Sequence, residues 1–216
     1  MTTHLTANPW STGTDELERY ALEECVKRQR IDHRVSILVV SDKRCEMAPK
    51  LARLGAQVVI VDRPDYRQEI EGRILASGLR EQISYVASEL DTMPEALPGQ
   101  PFDMIVLRRG LCGQPYEQAC QIVRRLMRQL RIGGKLYVSV LGLHSELGQG
   151  YADGDALIEQ RFAPLASPLA EKYEIHQPVC LYTERNLFML LLEAGASVLR
   201  TLTTTYGNVK GIAVRV

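Results

Sequence analysis

The stretch VSILVVSDKRCEMAPKLARLGAQVVIVD, residues 35–62, decides the fold. Residues 35–40 form an apolar run rich in Val and Ile, 41–44 a polar turn, 45–54 a helical stretch stopped by Gly55, and 57–61 a second apolar run ending in Asp62. Short, continuous apolar runs suit strands of a parallel sheet buried on both faces, and a parallel crossover needs about a dozen residues or more, usually a helix. One strand-helix-strand unit is therefore predicted. Open sheets of this kind bind ligands outside the carboxyl ends of their strands. That rule places the 41–44 turn and the Asp62 carboxylate at the expected site.

The rest of the chain is consistent with a single α/β domain. Its 216 residues are 45% apolar, enough to bury a full core. Formal net charge is zero, which removes the broad electrostatic footprint of a nucleic-acid or acidic-membrane binder. Five cysteines, odd in number and scattered, show neither CxxC nor zinc-ligand spacing. They read as reduced, mostly buried thiols of a cytoplasmic protein, with no metal site. The polar N-terminus, interrupted by Pro9 and Gly13, lacks the charged region and apolar core of a signal peptide, and no apolar run approaches the ~20 residues of a membrane span.

Upstream of the opening unit, residues 1–13 read as a tail. Thr14 or Asp15 can cap a helix bearing Leu17, Tyr20, Ala21 and Cys25 on one side, expected to lead the domain and lie over the site. This gives a division into 1–33, tail and leading helix, and 34–216, the α/β domain.

Downstream, 66–77 predicts a helix with Ile70, Ile74 and Leu75 as its apolar stripe and Gly78 as its end. A short strand at 83–86 follows. The segment SELDTMPEALPGQP, with three prolines, must be a loop. Residues 102–107 are a buried strand, and 114–130 a helix whose apolar face leaves Arg124, Arg125, Arg128 and Arg131 on a solvated side. Ile132, Gly133 and Gly134 should turn the chain into a strand at 135–140. Residues 141–178 lose periodicity among scattered Gly and Pro, and an irregular segment of this length inside a domain suits a substrate-covering insertion. Thr183 then caps a helix through Leu187, Leu190 and Leu191 that Gly195 stops. Two alternating runs around Tyr206, Gly207 and Asn208 predict a closing hairpin.

In order, VIVD, YVASELDTMP, FDMIVLRRGL, LMRQLRIGGKLYVSV and LYTERNLFMLLLEAGASV with TTTYGNVKGIAVRV resemble the class I S-adenosylmethionine-dependent methyltransferases over residues 34–216. The resemblance implies a Rossmann-like, doubly wound seven-stranded sheet, mostly parallel, with an antiparallel C-terminal strand inserted beside the fifth. It also implies S-adenosyl-L-methionine as cofactor and a small-molecule or carbohydrate-like methyl acceptor. Asp62 matches the acid that accepts hydrogen bonds from both ribose hydroxyls; otherwise it ends its strand or pairs with Arg63. Glu89 matches the acid facing the adenine amino group, with Asp91 competing, and Leu90 lies beside the ring.

At the turn the chain departs from the family, because the expected glycines are replaced by Ser41, Lys43 and Cys45. Glycine there tolerates positive φ and lets backbone N–H groups approach the ligand. In SDKRC, Lys43 can answer the methionine carboxylate and Asp42 its ammonium; equally, Lys43 can repel the sulfonium or fill the pocket. The second outcome describes a non-catalytic relative serving as a binding or regulatory subunit.

Arg108 and Arg109 follow the fourth strand, where two guanidinium groups suit an anionic substrate. The tetrapeptide LRRG stands where base N-methylating relatives carry (Asn/Asp)-Pro-Pro-aromatic, which argues against that chemistry. His144, just past the fifth strand, is the one histidine expected at the active edge and a candidate general base. Tyr182, Glu184, Tyr206 and Lys210 are expected near the rim.

Overall fold

The computed structural model describes residues 16–29, 34–41 and 46–216. Seven strands form one sheet: β1 (Ser36–Val40), β2 (Gln57–Asp62), β3 (Ile83–Ala87), β4 (Phe102–Arg108), β5 (Leu130–Val140), β6 (Ser197–Thr203) and β7 (Val209–Val214). Their order is β3-β2-β1-β4-β5-β7-β6. The first five are parallel, and β7 runs antiparallel between β5 and β6. This is the predicted Rossmann-like, doubly wound sheet with its antiparallel C-terminal strand.

Alternation along the buried strands divides the core between two faces. Ile37 and Val39 of β1 pack with α1 (Glu16–Gln29), α2 (Met47–Arg53) and α3 (Arg67–Ser77) through Leu17, Ala21, Met47, Leu51 and Ile70. Leu38 and Val40 belong to the opposite face, with Ile122, Val123 and Leu126 of α4 (Tyr116–Gln129) and Leu187 and Leu190 of α6 (Glu184–Glu193). Each fully buried side chain of this size contributes about 1.5–3 kcal/mol relative to exposure. Thr183 and Asn186 form a reciprocal capping box at the start of α6, as Thr183 led us to expect.

The leading helix is positioned otherwise than expected. α1 lies on the sheet face against α2 and β5 rather than over the strand ends, because Leu17, Ala21 and Cys25 complete the core there. The expected N-cap, Thr14 or Asp15, and the 1–13 tail lie outside the described residues. Leu75, assigned to the apolar stripe of α3, is 61% exposed. The Ile132-Gly133-Gly134 turn is also corrected. β5 begins at Leu130 directly after α4, and residues 131–134 form an irregularity within it. Gly133 N–H donates to Arg215 O at 2.8 Å, and Gly134 O accepts from Arg215 N–H at 2.9 Å. The chain's own C-terminal segment thus satisfies the backbone that would otherwise mark a turn.

At the amino end of the sheet Asp103 is fully buried, accepting from Ser36 N–H at 2.8 Å and facing Arg28 at 3.4 Å and Arg131 at 3.1 Å. Beside it Glu24 bonds Lys135 at 2.7 Å and Arg28 at 2.8 Å, tying α1 to β5. Burial alone would raise the Glu24 pKa, but Lys135 and Arg28 outweigh it and hold the carboxyl below its ordinary value of 4.5. A depressed folded-state pKa contributes stability that is complete above the unfolded value and lost as pH falls through the folded one. The melting temperature of Glu24→Gln, followed by circular dichroism, should therefore fall less steeply than the parent's below pH 4.5.

Candidate active site

β1 stands between β2 and β4, and the sheet reverses its winding there, so a crevice opens at the carboxyl ends of these strands. The register fixes what emerges. Val40 pairs with both Val61 and Leu107, which brings Ser41, Asp62 and Arg108 to one edge. They line a cavity of about 1100 Å³ together with Arg63, Glu89, Leu90, Arg109 and Gly110. A second concavity of about 780 Å³ lies between α1 and α2, on the flank and away from the strand ends.

Asp62 is 6% exposed at the end of β2. Its Oδ1 accepts from Arg63 N–H at 2.8 Å, and its carbonyl accepts from Ser88 N–H at 3.0 Å and from the Tyr85 hydroxyl at 3.1 Å. These bonds hold the strand end rigid and its carboxylate against the cavity. Glu89 lines the cavity and pairs with Arg63 at 3.4 Å. Its competitor Asp91 does not line the cavity; its carbonyl accepts from Arg125 at 2.7 Å. Leu90 is buried beside Glu89, its carbonyl held by the same guanidinium at 2.8 Å.

Two turns at this edge are strained. Ser41, where the resemblance expects the first glycine, has φ 61° and donates its N–H to Val61 O at 3.0 Å. Arg109 has φ 62° and donates its N–H to Ser139 O at 2.8 Å. A non-glycine residue in this region costs about 1–3 kcal/mol, held here by the surrounding backbone bonds. Between them the chain is tight. A Cβ on Gly110 would meet Ser41 Oγ at 2.7 Å, so the Ser41 side chain would have to shift to admit one. Asp42, Lys43 and Cys45 lie outside the described residues.

The insertion supplies the facing wall. Residues 141–178 contain α5 (Ser167–Tyr173) and two 3-10 turns, and they add Phe162, Tyr173, Glu174, Gln177 and Pro178 to the cavity, with Val179 next in the chain. Arg161 organises this segment. It is 7% exposed and donates to the carbonyls of Asp153, Ala156 and Leu181 at 3.3, 2.7 and 3.2 Å and to Asn186 Oδ1 at 3.0 Å. The Tyr151 hydroxyl donates to Val179 O at 2.6 Å and accepts from Ala163 N–H at 3.2 Å. Tyr173 donates to the Glu146 carboxylate, which Lys172 also bonds at 2.6 Å.

Not every expected residue joins the site. His144 is exposed on the turn after β5 and is not part of the cavity lining. The hairpin turn packs on its backbone: a Cβ on Gly207 would meet His144 O at 2.5 Å. Tyr182 is buried, Glu184 accepts from Thr201 and Thr203, and neither these nor Tyr206 and Lys210 line the cavity. The arginines of α4 combine the expected solvated face, on which Arg124 and Arg128 are exposed, with clamps. Arg124 holds Glu193 O and Arg125 the 90–91 loop, while Arg131, just past the helix, pairs with Asp103. Phe162 and Glu174 carry no motif; the loss of periodicity over 141–178 located their segment but not the residues themselves.

The four described cysteines are buried and unbridged. Burial pushes the Cys112 thiol up to about 12 and the Cys25 and Cys180 thiols up to about 11. None is poised as a nucleophile. Among the described residues no group of His, Cys, Asp and Glu is arranged to hold a metal, and no helix is long and apolar enough to cross a membrane.

No family model matches the sequence, and no curated protein matches it. Solved structures do match. A methyltransferase described as S-adenosylmethionine-dependent, from Methanosarcina mazei, superposes with TM-score 0.66 at 18% identity, over 88% of this chain and 97% of that one. A Burkholderia thailandensis 1,6-didemethyltoxoflavin-N1-methyltransferase, solved with its substrate and S-adenosylhomocysteine, gives 0.61 at 15% identity, over 94% and 79%. An O-methyltransferase family 2 protein from Planctomyces limnophilus, in complex with apigenin, gives 0.62 at 15% identity, over 92% and 62%. The chain spans little more than half of several others, 55 to 56% of their length. The protein therefore has the class I fold of S-adenosylmethionine-dependent methyltransferases.

Replacing Arg161 with Ala leaves its buried carbonyl acceptors unsatisfied and should cost about 2–4 kcal/mol in urea unfolding. Limited proteolysis should then cut first within residues 141–178; unchanged stability and cleavage would contradict the organising role.

Proposed function

We propose that this protein transfers the methyl group of S-adenosyl-L-methionine to a small-molecule acceptor. The observation that carries the reading is a buried carboxylate, Asp62, facing a large cavity at the switch point of a sheet with the methyltransferase fold. The cavity suits a cofactor with an acceptor beside it, since ligand sites run about 300–1,000 Å³. Its chemistry is apt as well: an acid at the end of β2, an apolar Leu90, and a second acid, Glu89, beyond β3.

In this reading Asp62 accepts from the two ribose hydroxyls, a carboxylate offering two acceptor oxygens to a vicinal diol. Leu90 packs against the adenine ring and Glu89 accepts from its amino group. Ser41 turns the backbone toward the methionine end, where Asp42 and Lys43 are assigned from sequence alone. The cofactor supplies a methyl group on a sulfonium, open to in-line attack. The chain's contribution is chiefly placement: holding two reactants in line removes about 7 kcal/mol or more of barrier where the geometry is right.

The insertion closes the site with Phe162, Tyr173 and Pro178, joined by Val179 just after it, which support an acceptor with an apolar face; a carbohydrate-like acceptor can present one too. Arg108 reaches the acceptor side. His144 receives no part, being exposed away from the cavity. A reducing, cytoplasmic location accords with the buried, unbridged thiols.

Isothermal titration with S-adenosylhomocysteine tests the reading. The folded parent should bind, and Asp62→Asn should lose about 2 kcal/mol, roughly thirtyfold in Kd. Absence of binding at millimolar ligand, or an unchanged Kd in the variant, would sink it.

A further inference from the structure

Helix α6 is apolar on two opposite faces. Leu187, Leu190 and Leu191 are fully buried in the core, while Phe188, Met189 and Leu192 are 39, 41 and 44% exposed. At 3.6 residues per turn the exposed three fall within about 100° of arc, the width of an ordinary buried stripe, opposite the buried three. A single exposed apolar residue is common, and the other large ones among the described residues stand singly on separate elements. Three on one helix face do not fit that pattern. The neighbouring α4 shows the usual division, apolar where it is buried, with Glu117, Gln121, Arg124 and Arg128 exposed. A helix apolar all round is one that is covered on both sides.

The charges at the two ends of the stripe indicate what covers it. Arg185 in the first turn of α6 and Glu193 in its last are both exposed. They lie about 12 Å apart along the axis, and Met189 stands midway between them. A second α6 laid antiparallel across Met189 therefore sets each Arg185 beside Glu193 of the other copy, with the apolar side chains of both between. A parallel arrangement would set like charge on like. The antiparallel one has the closed twofold symmetry of most soluble oligomers, in which one patch serves both copies. The Tyr116 hydroxyl donates to Glu193 Oε2 at 3.2 Å, and a carboxylate has acceptor sites enough for a second donor.

We propose that the exposed face of α6 docks a second copy of this chain, α6 on α6 and antiparallel, about a twofold axis near Met189. Three apolar side chains from each copy make a contact smaller than the standard interface of about 800 Å² per partner, so the dimer exchanges with monomer at micromolar concentration. None of these residues lines the cavity, and the surface is separate from the methyl-transfer site.

Sedimentation velocity of the full chain from about 1 to 200 µM, the range in which small interfaces dissociate, tests the proposal. The parent should pass from monomer to dimer within that range. Leu192→Glu should weaken dimerisation by about tenfold or more. Because Leu192 is exposed, the variant's circular dichroism and thermal unfolding at the lowest concentration should match the parent's. Arg185→Glu and Glu193→Arg should each weaken the dimer by about fivefold, since twofold symmetry puts two such contacts in every dimer. The double exchange Arg185→Glu with Glu193→Arg should restore the parent's affinity.

A parent that stays monomeric to the top of the range overturns the proposal and leaves the stripe to a different protein. It is equally overturned if Leu192→Glu dimerises as the parent does. It is overturned too if the double exchange is no better than either single one, because the helices would then not lie antiparallel across Met189.

Discussion

The register of β1 between β2 and β4 is the constraint on which the rest depends. Val40 pairs with Val61 on one side and Leu107 on the other, so three chain segments reach the same edge at the same height. A one-residue slip would turn every β1 side chain to the other face, moving Leu38 and Val40 out of one core and Ile37 and Val39 out of the other. Because both faces are buried, that slip is prohibitive. The geometry of the cavity is thus inherited from apolar packing well below it.

The cavity concentrates backbone strain. The described non-glycine residues with positive φ are Ser41, Arg109 and Glu174, from three separate parts of the chain, and all three line it. Strain of this kind persists where surrounding structure over-determines the backbone, and it gathers where side chains are needed in fixed places. Here the determinants are visible: ladder partners for Ser41 and Arg109, and the end of α5 for Glu174. Arg161 and Tyr151 hold the insertion by the same economy, one polar side chain satisfying several buried backbone groups.

Polar side chains divided the sequence-based expectations most sharply. Ser41, Asp62 and Arg108 line the cavity because each ends or directly follows a strand whose position periodicity gives, and Glu89 and Leu90 line it from the loop just past β3. His144 was placed by the same logic but sits exposed, since the chain past β5 bends to pair Gly142 with Tyr182 and to receive Gly207. Arg124, Arg125 and Arg131 lie off the apolar stripe as expected. Their guanidinium groups nevertheless find carbonyls or a buried carboxylate supplied by residues distant in sequence.

By itself the sequence determined the sheet, its strand count, the closing hairpin, the capped α6 and the edge at which Asp62 emerges. These follow from local signals: unbroken apolar runs, helical spacing, and Gly or Thr at element ends. Only the tertiary structure decided that α1 covers a sheet face, that residues 131–134 belong within β5, that Glu89 rather than Asp91 faces the cavity, and that Phe162 and Tyr173 wall it. Each of those depends on partners far along the chain, such as Arg215 for Gly133 and Arg125 for Leu90, and hydrogen bonds of that range leave no periodic trace in the residues that make them.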